Sequence, residues 1–152
     1  MGLAEKIQAD LREAMKARDE RRTSTLRLIR ARLLEKEAEK AGVQLTDEIV
    51  LKILEGMVKQ YRDSIAEYEK AGRADVADAE RAEMEIVQAY LPAEMTEAEI
   101  SAVVTEVIAQ TGASGPGSVG RVMGAAMQRL KQAGKRVDGA KVKQIVSQKL
   151  NA

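Results

Sequence analysis

The side chains best suited to chemistry gather near the end of the chain. Positions 113–152 hold Arg121, Arg129, Lys131, Lys135, Arg136, Lys141, Lys143 and Lys149 against one acid, Asp138. Eight cations less one acid is +7, so with a total charge of +1 the first 112 residues carry −6. Lysine and arginine neutralise phosphates and release counterions, which gives salt-dependent binding that is largely blind to sequence. Gly134-Lys135-Arg136-Val137-Asp138-Gly139 sets two cations on a short turn, within reach of a phosphate ridge. The competing reading is solvated surface charge, common on small helical domains. The nucleic-acid reading requires these cations to form one face; scattering, or capture by carboxylates of the front half, would remove it.

Gly115-Pro116-Gly117-Ser118-Val119-Gly120 matches G-x-G-x-x-G. No strand precedes it and no βαβ unit surrounds it, so it is a poor dinucleotide fingerprint, and it lacks the Gly-Lys-Ser/Thr ending of a phosphate-binding P-loop. Two milder readings stay open: a phosphate resting on amides at a helix N-terminus, or a plain connection between helices. Further on, Gly120 and Gly124 lie at ~100° and ~140° around a helix started at Val119, with Lys131 at ~120°. That flank is bare backbone followed by a lysine. It suits close packing of another helix or approach of a sugar-phosphate strand.

Other chemistries are narrowed by composition. The 152 residues include no Cys and no His, which excludes disulfides, thiolate chemistry, and the commonest general base and metal ligand. No cofactor and no metal are expected. Asp75, Glu80 and Glu83, with Arg73 nearby, could do acid–base work if buried, or form an ion-paired helix surface. A carboxylate-bridged metal bundle of the Glu-x-x-His type lacks its histidine. The N-terminus has no signal-peptide shape, and no apolar run approaches the ~20 residues of a membrane span. A reducing cytoplasm is the expected setting.

The elements that position these residues read as helices throughout. Aromatic residues are 2% of the chain, all Tyr, so the core must be aliphatic, which suits packed helices. Leu3, Ile7, Leu11 and Met15 form a first stripe ending near Arg18-Asp19. Thr23 or Ser24 can cap a second helix with Leu26, Ile29, Leu33 and Leu34 inward, stopping at Gly42. Thr46 opens a third, with Ile49, Ile53, Met57, Tyr61, Ile65 and Tyr68 inward and Gly72 as its stop. Gly56 inside it suggests a close neighbour. A fourth helix spans about Asp75 to Tyr90, with Val76, Ala79, Ile86, Val87 and Tyr90 inward. Pro92 marks a boundary, and 90–95 reads as a linker. Thr96-Glu97-Ala98-Glu99 fits a capping box, opening a helix with Ile100, Val103, Val104, Val107 and Ile108 that stops at Gly112. A helix from Val119 to Ala133 ends at Gly134. Asp138 caps a last one carrying Val142, Ile145, Val146 and Leu150. The expectation is all-α: a four-helix N-terminal domain over 1–91 and a three-helix domain over 92–152.

Several strings, taken in order, resemble the GatB/YqeY family. They are Arg62-Asp63-Ser64-Ile65 with Tyr68, Ala71-Gly72-Arg73 with Asp75, Tyr90-Leu91-Pro92, Thr111-Gly112-Ala113, Gly120-Arg121-Val122-Met123-Gly124, and Gly134 to Gly139 ending in Val137-Asp138-Gly139. The resemblance covers essentially the whole chain, as in a free-standing YqeY-like protein. The C-terminal part is similar to the tail domain of the aspartyl/glutamyl-tRNA amidotransferase B subunit, which with the helical segment before it grips tRNA. The resemblance therefore implies binding of tRNA or other structured RNA, and partnership with an amidotransferase or aminoacyl-tRNA synthetase complex. It also implies carbon–nitrogen ligase activity with glutamine as amido-N-donor, though the activating domain and amidase subunit of that enzyme have no counterpart here. Carried across, the matching positions are Gly120, Arg121, Met123, Gly124, Lys135, Arg136, Asp138 and Gly139, of which Met123 and Gly139 are structural. With the neighbouring lysines, the RNA-binding candidates are Gly120, Arg121, Gly124, Lys131, Lys135, Arg136 and Lys141. The alternative is a helical protein–protein adaptor without RNA contact.

Overall fold

A computed structural model describes residues 2–39 and 42–151, and among these the chain is helical, with seven α-helices and no strand. Helices α1 (Leu3–Lys16), α2 (Glu20–Glu39), α3 (Asp47–Lys70) and α4 (Ala74–Gln88) belong to one compact unit, Met1–Leu91. Helices α5 (Glu97–Thr111), α6 (Val119–Lys131) and α7 (Gly139–Lys149) belong to a second, Pro92–Ala152.

The first unit pairs α1 with α2 and α3 with α4 around Ile7, Leu11, Leu26, Ile29, Val50, Leu54, Val58 and Val87. The α3 stripe holds Met57, Tyr61 and Ile65 buried as expected, but its first half is one position off: Val50 and Leu54 are fully buried, whereas Ile49 and Ile53 are half-buried at its edge. Likewise Ala14 replaces Met15, which is 49% exposed, and Leu34 is 52% exposed. In these helices apolar residues flank the core stripe on both sides, so spacing alone does not pick its centre. On α4, Val87 and the small Ala77 are fully buried, while Val76, Ala79 and Ile86 are half-buried beside them. Gly56 is exposed, and a Cβ there would meet nothing within 4 Å, so the close neighbour expected at that position is missing.

Caps explain the boundaries. The Thr46 hydroxyl accepts from the Ile49 amide at 3.3 Å, opening α3. Helix α2 starts earlier than expected because Asp19, not Thr23 or Ser24, accepts from the Arg22 amide at 3.1 Å. Asp47 reaches across to take the Leu3 amide at 2.8 Å, capping α1, whose own cap residue Gly2 has no side chain to offer. The stop expected at Gly42 falls next to 40 and 41, which lie outside the described residues.

One polar contact inside the first unit stands out for its charge. The Tyr90 hydroxyl donates to the Asp10 carboxylate at 2.5 Å, Lys6 joins from the same side at 3.1 Å, and Lys6 sits 5.8 Å from the Tyr90 ring centre. Arg22 stands 3.8 Å from the same carboxylate. Burial pushes the Asp10 carboxyl up, but the bonds from Tyr90 and Lys6 and the charges of Lys6 and Arg22 outweigh it, leaving it below its ordinary 3.8. A depressed carboxyl stabilises the fold above its unfolded value, and that stabilisation disappears as pH falls through the folded one. Tyr90→Phe should therefore lower unfolding free energy by about 1–2 kcal/mol at pH 7. In urea titrations repeated at pH 3, the gap between variant and parent should shrink.

Candidate nucleic-acid interface

Helix α6 is built on Val122, Ala126 and Leu130, all fully buried. At ~100° per residue these three cluster near 340° from Val119, so the outward direction is near 160°. Gly120, Lys131, Gly124, Gln128 and Arg121 fall, in that order, between ~100° and ~200°, and all five are exposed. The two glycines thus sit on the side facing away from the core. A Cβ at either would meet nothing within 4 Å, so no helix of the described chain uses the bare flank. Arg121 and Lys131 have no hydrogen-bond or carboxylate partner among the described residues. Gln128 was not among the sequence candidates, although its position four residues after Gly124 places it on the same arc.

The cations of the following turn are differently used. Lys135 pairs with Glu99 at 2.7 Å. Its ammonium, together with the Thr96 amide, holds the half-exposed Glu99 carboxyl below the usual range. That carboxylate also closes the expected capping box, taking the Thr96 amide at 3.0 Å while the Thr96 hydroxyl accepts from the Glu99 amide at 3.2 Å. Arg136 donates from its side chain to the Pro92 carbonyl at 2.9 Å. Its own amide donates to Ala93 at 3.0 Å, and its carbonyl accepts from Met95 at 2.8 Å, forming a one-residue parallel bridge between Glu94 and Arg136. Arg129 is held by Glu106 at 3.3 Å and by Gln110.

The cations of α7, opened by Asp138 on the Ala140 amide at 3.0 Å, do not share a direction. Lys141 and Lys143 project ~160° apart; Lys141 is half-buried and Lys143 exposed. The eight cations of 113–152 therefore divide, and the single basic face expected of them is not formed: Arg129 and Lys135 are taken by Glu106 and Glu99, so a nucleic-acid reading of these residues can rest only on the α6 arc. Three serve contacts inside the second unit, three spread around α7, and two join the glycines on α6.

The glycine-rich loop also differs from an open phosphate cradle. Pro116–Ser118 forms a 3-10 turn running directly into α6. The Ser118 amide donates to Gly115, the Val119 amide to Pro116, and the Ser118 hydroxyl to the Ser114 carbonyl at 2.9 Å. These groups are consumed within the loop. Met123 is half-buried against the core of the second unit, in keeping with a structural role.

In the first unit, Arg73 pairs with Asp75 at 3.4 Å, and Arg81 bridges Asp78 and Glu69. Burial and neighbouring Glu83 raise the Glu80 carboxyl. Burial and the same two carboxylates push the Tyr61 hydroxyl up to about 12, and it lacks a well-formed hydrogen bond. This acidic stretch is thus a partly ion-paired helix surface around a buried tyrosine.

Comparison with known proteins places the chain. A family model described as Yqey-like protein matches residues 4–150. A Lachancea thermotolerans protein named "Altered inheritance of mitochondria protein 41, mitochondrial" is 32% identical over 113 residues, 72% of this chain and 60% of the relative. Its namesake in Pyrenophora tritici-repentis is 28% identical over 151 residues, 97% of this chain and 80% of the relative. The one in Eremothecium gossypii is 33% identical over 87 residues, 57% of this chain and 48% of the relative. The match thus spans less than two thirds of the Lachancea and Eremothecium proteins. With nearly its full length under one family model, the chain belongs to the YqeY-like family.

Proposed function

We propose that this protein binds structured RNA, tRNA foremost, by laying the outward arc of α6 against the sugar-phosphate surface. The observation that carries this reading is the coincidence of Gly120 and Gly124, uncovered by any neighbour, with unpartnered Arg121 and Lys131 on one exposed face. A glycine in a helix interior costs ~1 kcal/mol against alanine. Two on a face that packs nothing among the described residues, one in the first turn of α6 and one inside it, fit a surface that approaches from outside. A duplex RNA minor groove is wide and shallow and offers 2′-hydroxyls beside phosphates. Gln128 can bond the former while Arg121 and Lys131 neutralise the latter. Scarcity of aromatics disfavours recognition of single strands by stacking.

Carbon–nitrogen ligation with glutamine as amide donor enters this proposal only through a larger assembly. In it the chain would hold RNA for an amidotransferase or aminoacyl-tRNA synthetase. The setting proposed is the cytoplasm, although the relatives' printed name refers to mitochondria; among the described residues no helix is long and apolar enough to cross a membrane. A second reading, a protein adaptor, is favoured by the same glycine pair, since small residues four apart let another helix pack closely.

Filter binding of total tRNA across a salt series separates the two. Each phosphate contact adds a slope of about −0.7 to −0.9 in log K against log salt. Arg121→Ala with Lys131→Ala should flatten the slope by about 1.5 and weaken binding roughly tenfold near 0.1 M salt. An unchanged slope would leave the adaptor reading. Gly120→Ala with Gly124→Ala should act in opposite directions on fold and ligand. Melting temperature should rise, because helix propensity improves by up to ~1 kcal/mol per site, while RNA affinity should fall as methyls occupy the bare flank. Undiminished affinity in that variant would show that RNA does not approach there.

A further inference from the structure

The charge of the first unit is as uneven as that of the second. Residues 1–36 hold ten cations (Lys6, Arg12, Lys16, Arg18, Arg21, Arg22, Arg27, Arg30, Arg32, Lys36) against six acids, a net of +4. With +7 over 113–152 and +1 in total, residues 37–112 carry −10. The acidity of the chain thus gathers in its middle, over α3, α4 and α5, while the α1–α2 hairpin is basic.

The surplus gathers where α1 turns into α2. The side chains of Arg12, Lys16, Arg18, Arg21 and Arg27 are exposed and have no carboxylate or hydrogen-bond partner among the described residues. Arg22 is occupied by Asp10 and Arg32 by Glu35. Of the nearby acids, Asp19 caps the Arg22 amide, while Glu13 is exposed. The turn holds Arg18 in the left-handed region, at φ 55°, with its amide on Met15 at 3.2 Å and the Asp19 amide on Ala14 at 3.0 Å. This places Arg18 at the mouth of a cleft of about 410 Å³ lined by Met15, Arg18, Glu20, Thr23, Ser24 and Arg27. Two guanidinium groups and two hydroxyls therefore surround one open space, with Glu20 as its single carboxylate. Guanidinium forks match phosphate oxygens in pairs; the Thr23 hydroxyl supplies a further donor, while that of Ser24 is spent on the Arg21 carbonyl at 3.1 Å.

We propose that this arginine corner is a second phosphate-docking surface, and that its occupant is the sugar-phosphate backbone of structured RNA. The proposal rests on the RNA reading of α6 and extends it to the first unit. Charge complementarity selects the partner: the unpaired guanidinium groups of Arg18 and Arg27 beside one cleft fit the oxygens of phosphodiesters. The donors are suited to backbone and carry no base-reading geometry, so the corner adds affinity and salt dependence without sequence preference.

The test is the tRNA salt series on the full-length chain, with helicity monitored by circular dichroism. Arg18→Gln with Arg27→Gln should flatten the slope by about 1.5, two phosphate contacts, and weaken binding severalfold near 0.1 M salt. Arg18→Lys with Arg27→Lys should keep the slope, because charge remains. Lys52→Gln with Lys59→Gln, which removes two exposed charges from α3, should leave the slope at the parent value. Equal flattening by the α3 control would overturn the proposal, since overall charge would then explain the effect. A parent-like slope in the Arg18/Arg27 variant, while Arg121→Ala with Lys131→Ala loses binding, overturns the corner and leaves α6 standing. A parent protein that does not bind tRNA overturns both.

Discussion

The second unit depends on one short junction, the parallel bridge between Glu94 and Arg136. The extended residues before α5 belong to no helix that could pair their backbone amides and carbonyls. Arg136 meets that need twice with its main chain and once with its guanidinium, which donates to the carbonyl of Pro92. Met95, buried beside the bridge, joins the core of Ile100, Val104, Val122 and Val142. Lys135 adds its bond to Glu99 in the first turn of α5. The α6–α7 turn is thus tied to the start of the unit by both of its cations. A turn so engaged would have to break internal bonds to reach a phosphate, which is why the proposed RNA contact is assigned to the free face of α6 and not to this turn.

The same unit shows how an aliphatic core shapes its exterior. Without Phe or Trp, α6 fills its share of the interior with Val122, Ala126 and Leu130. Side chains this small need only a narrow stripe. Half-buried Met123 and Met127 widen it on one side, and the opposite arc is left without a packing task. Glycine on that arc weakens the helix and contributes no internal contact. The functional reading of α6 follows from this imbalance more than from charge, since Arg121 and Lys131 alone would be ordinary surface cations.

The architecture was largely legible in the sequence because its signals are local. Thr46, Asp138 and the Thr96/Glu99 pair act within their own first turns, and Gly72 and Gly112, just past α3 and α5, have φ of 72° and 63°, where a side chain would be strained. Local spacing was less decisive where apolar residues crowd: Val50 and Leu54, not Ile49 and Ile53, centre the α3 stripe because the register of a helix is set by what packs on it. The candidate interface was legible only in part. Gly120, Gly124 and Lys131 share a face by simple periodicity, but the engagement of Lys135 and Arg136 joins residues 36 and 44 apart in sequence. Nothing in the basic turn itself announces that its partners lie near Pro92.

Those distant pairings change what the net charge means. At +1 the whole molecule offers almost no long-range attraction to a polyanion, and at physiological salt a charge is felt over only ~8 Å. Attraction must come from cations that are both close together and free of carboxylates. The contacts of the fold do part of this sorting: Glu99, Glu106, Asp10 and Glu35 each hold a neighbouring cation, while Arg121 with Lys131 on α6 and the arginines of the α1–α2 corner stay unpaired among the described residues, as do dispersed lysines such as Lys52, Lys59 and Lys143. A nearly neutral chain can therefore carry local basic surfaces, provided part of its acids is spent on the cations the fold itself uses.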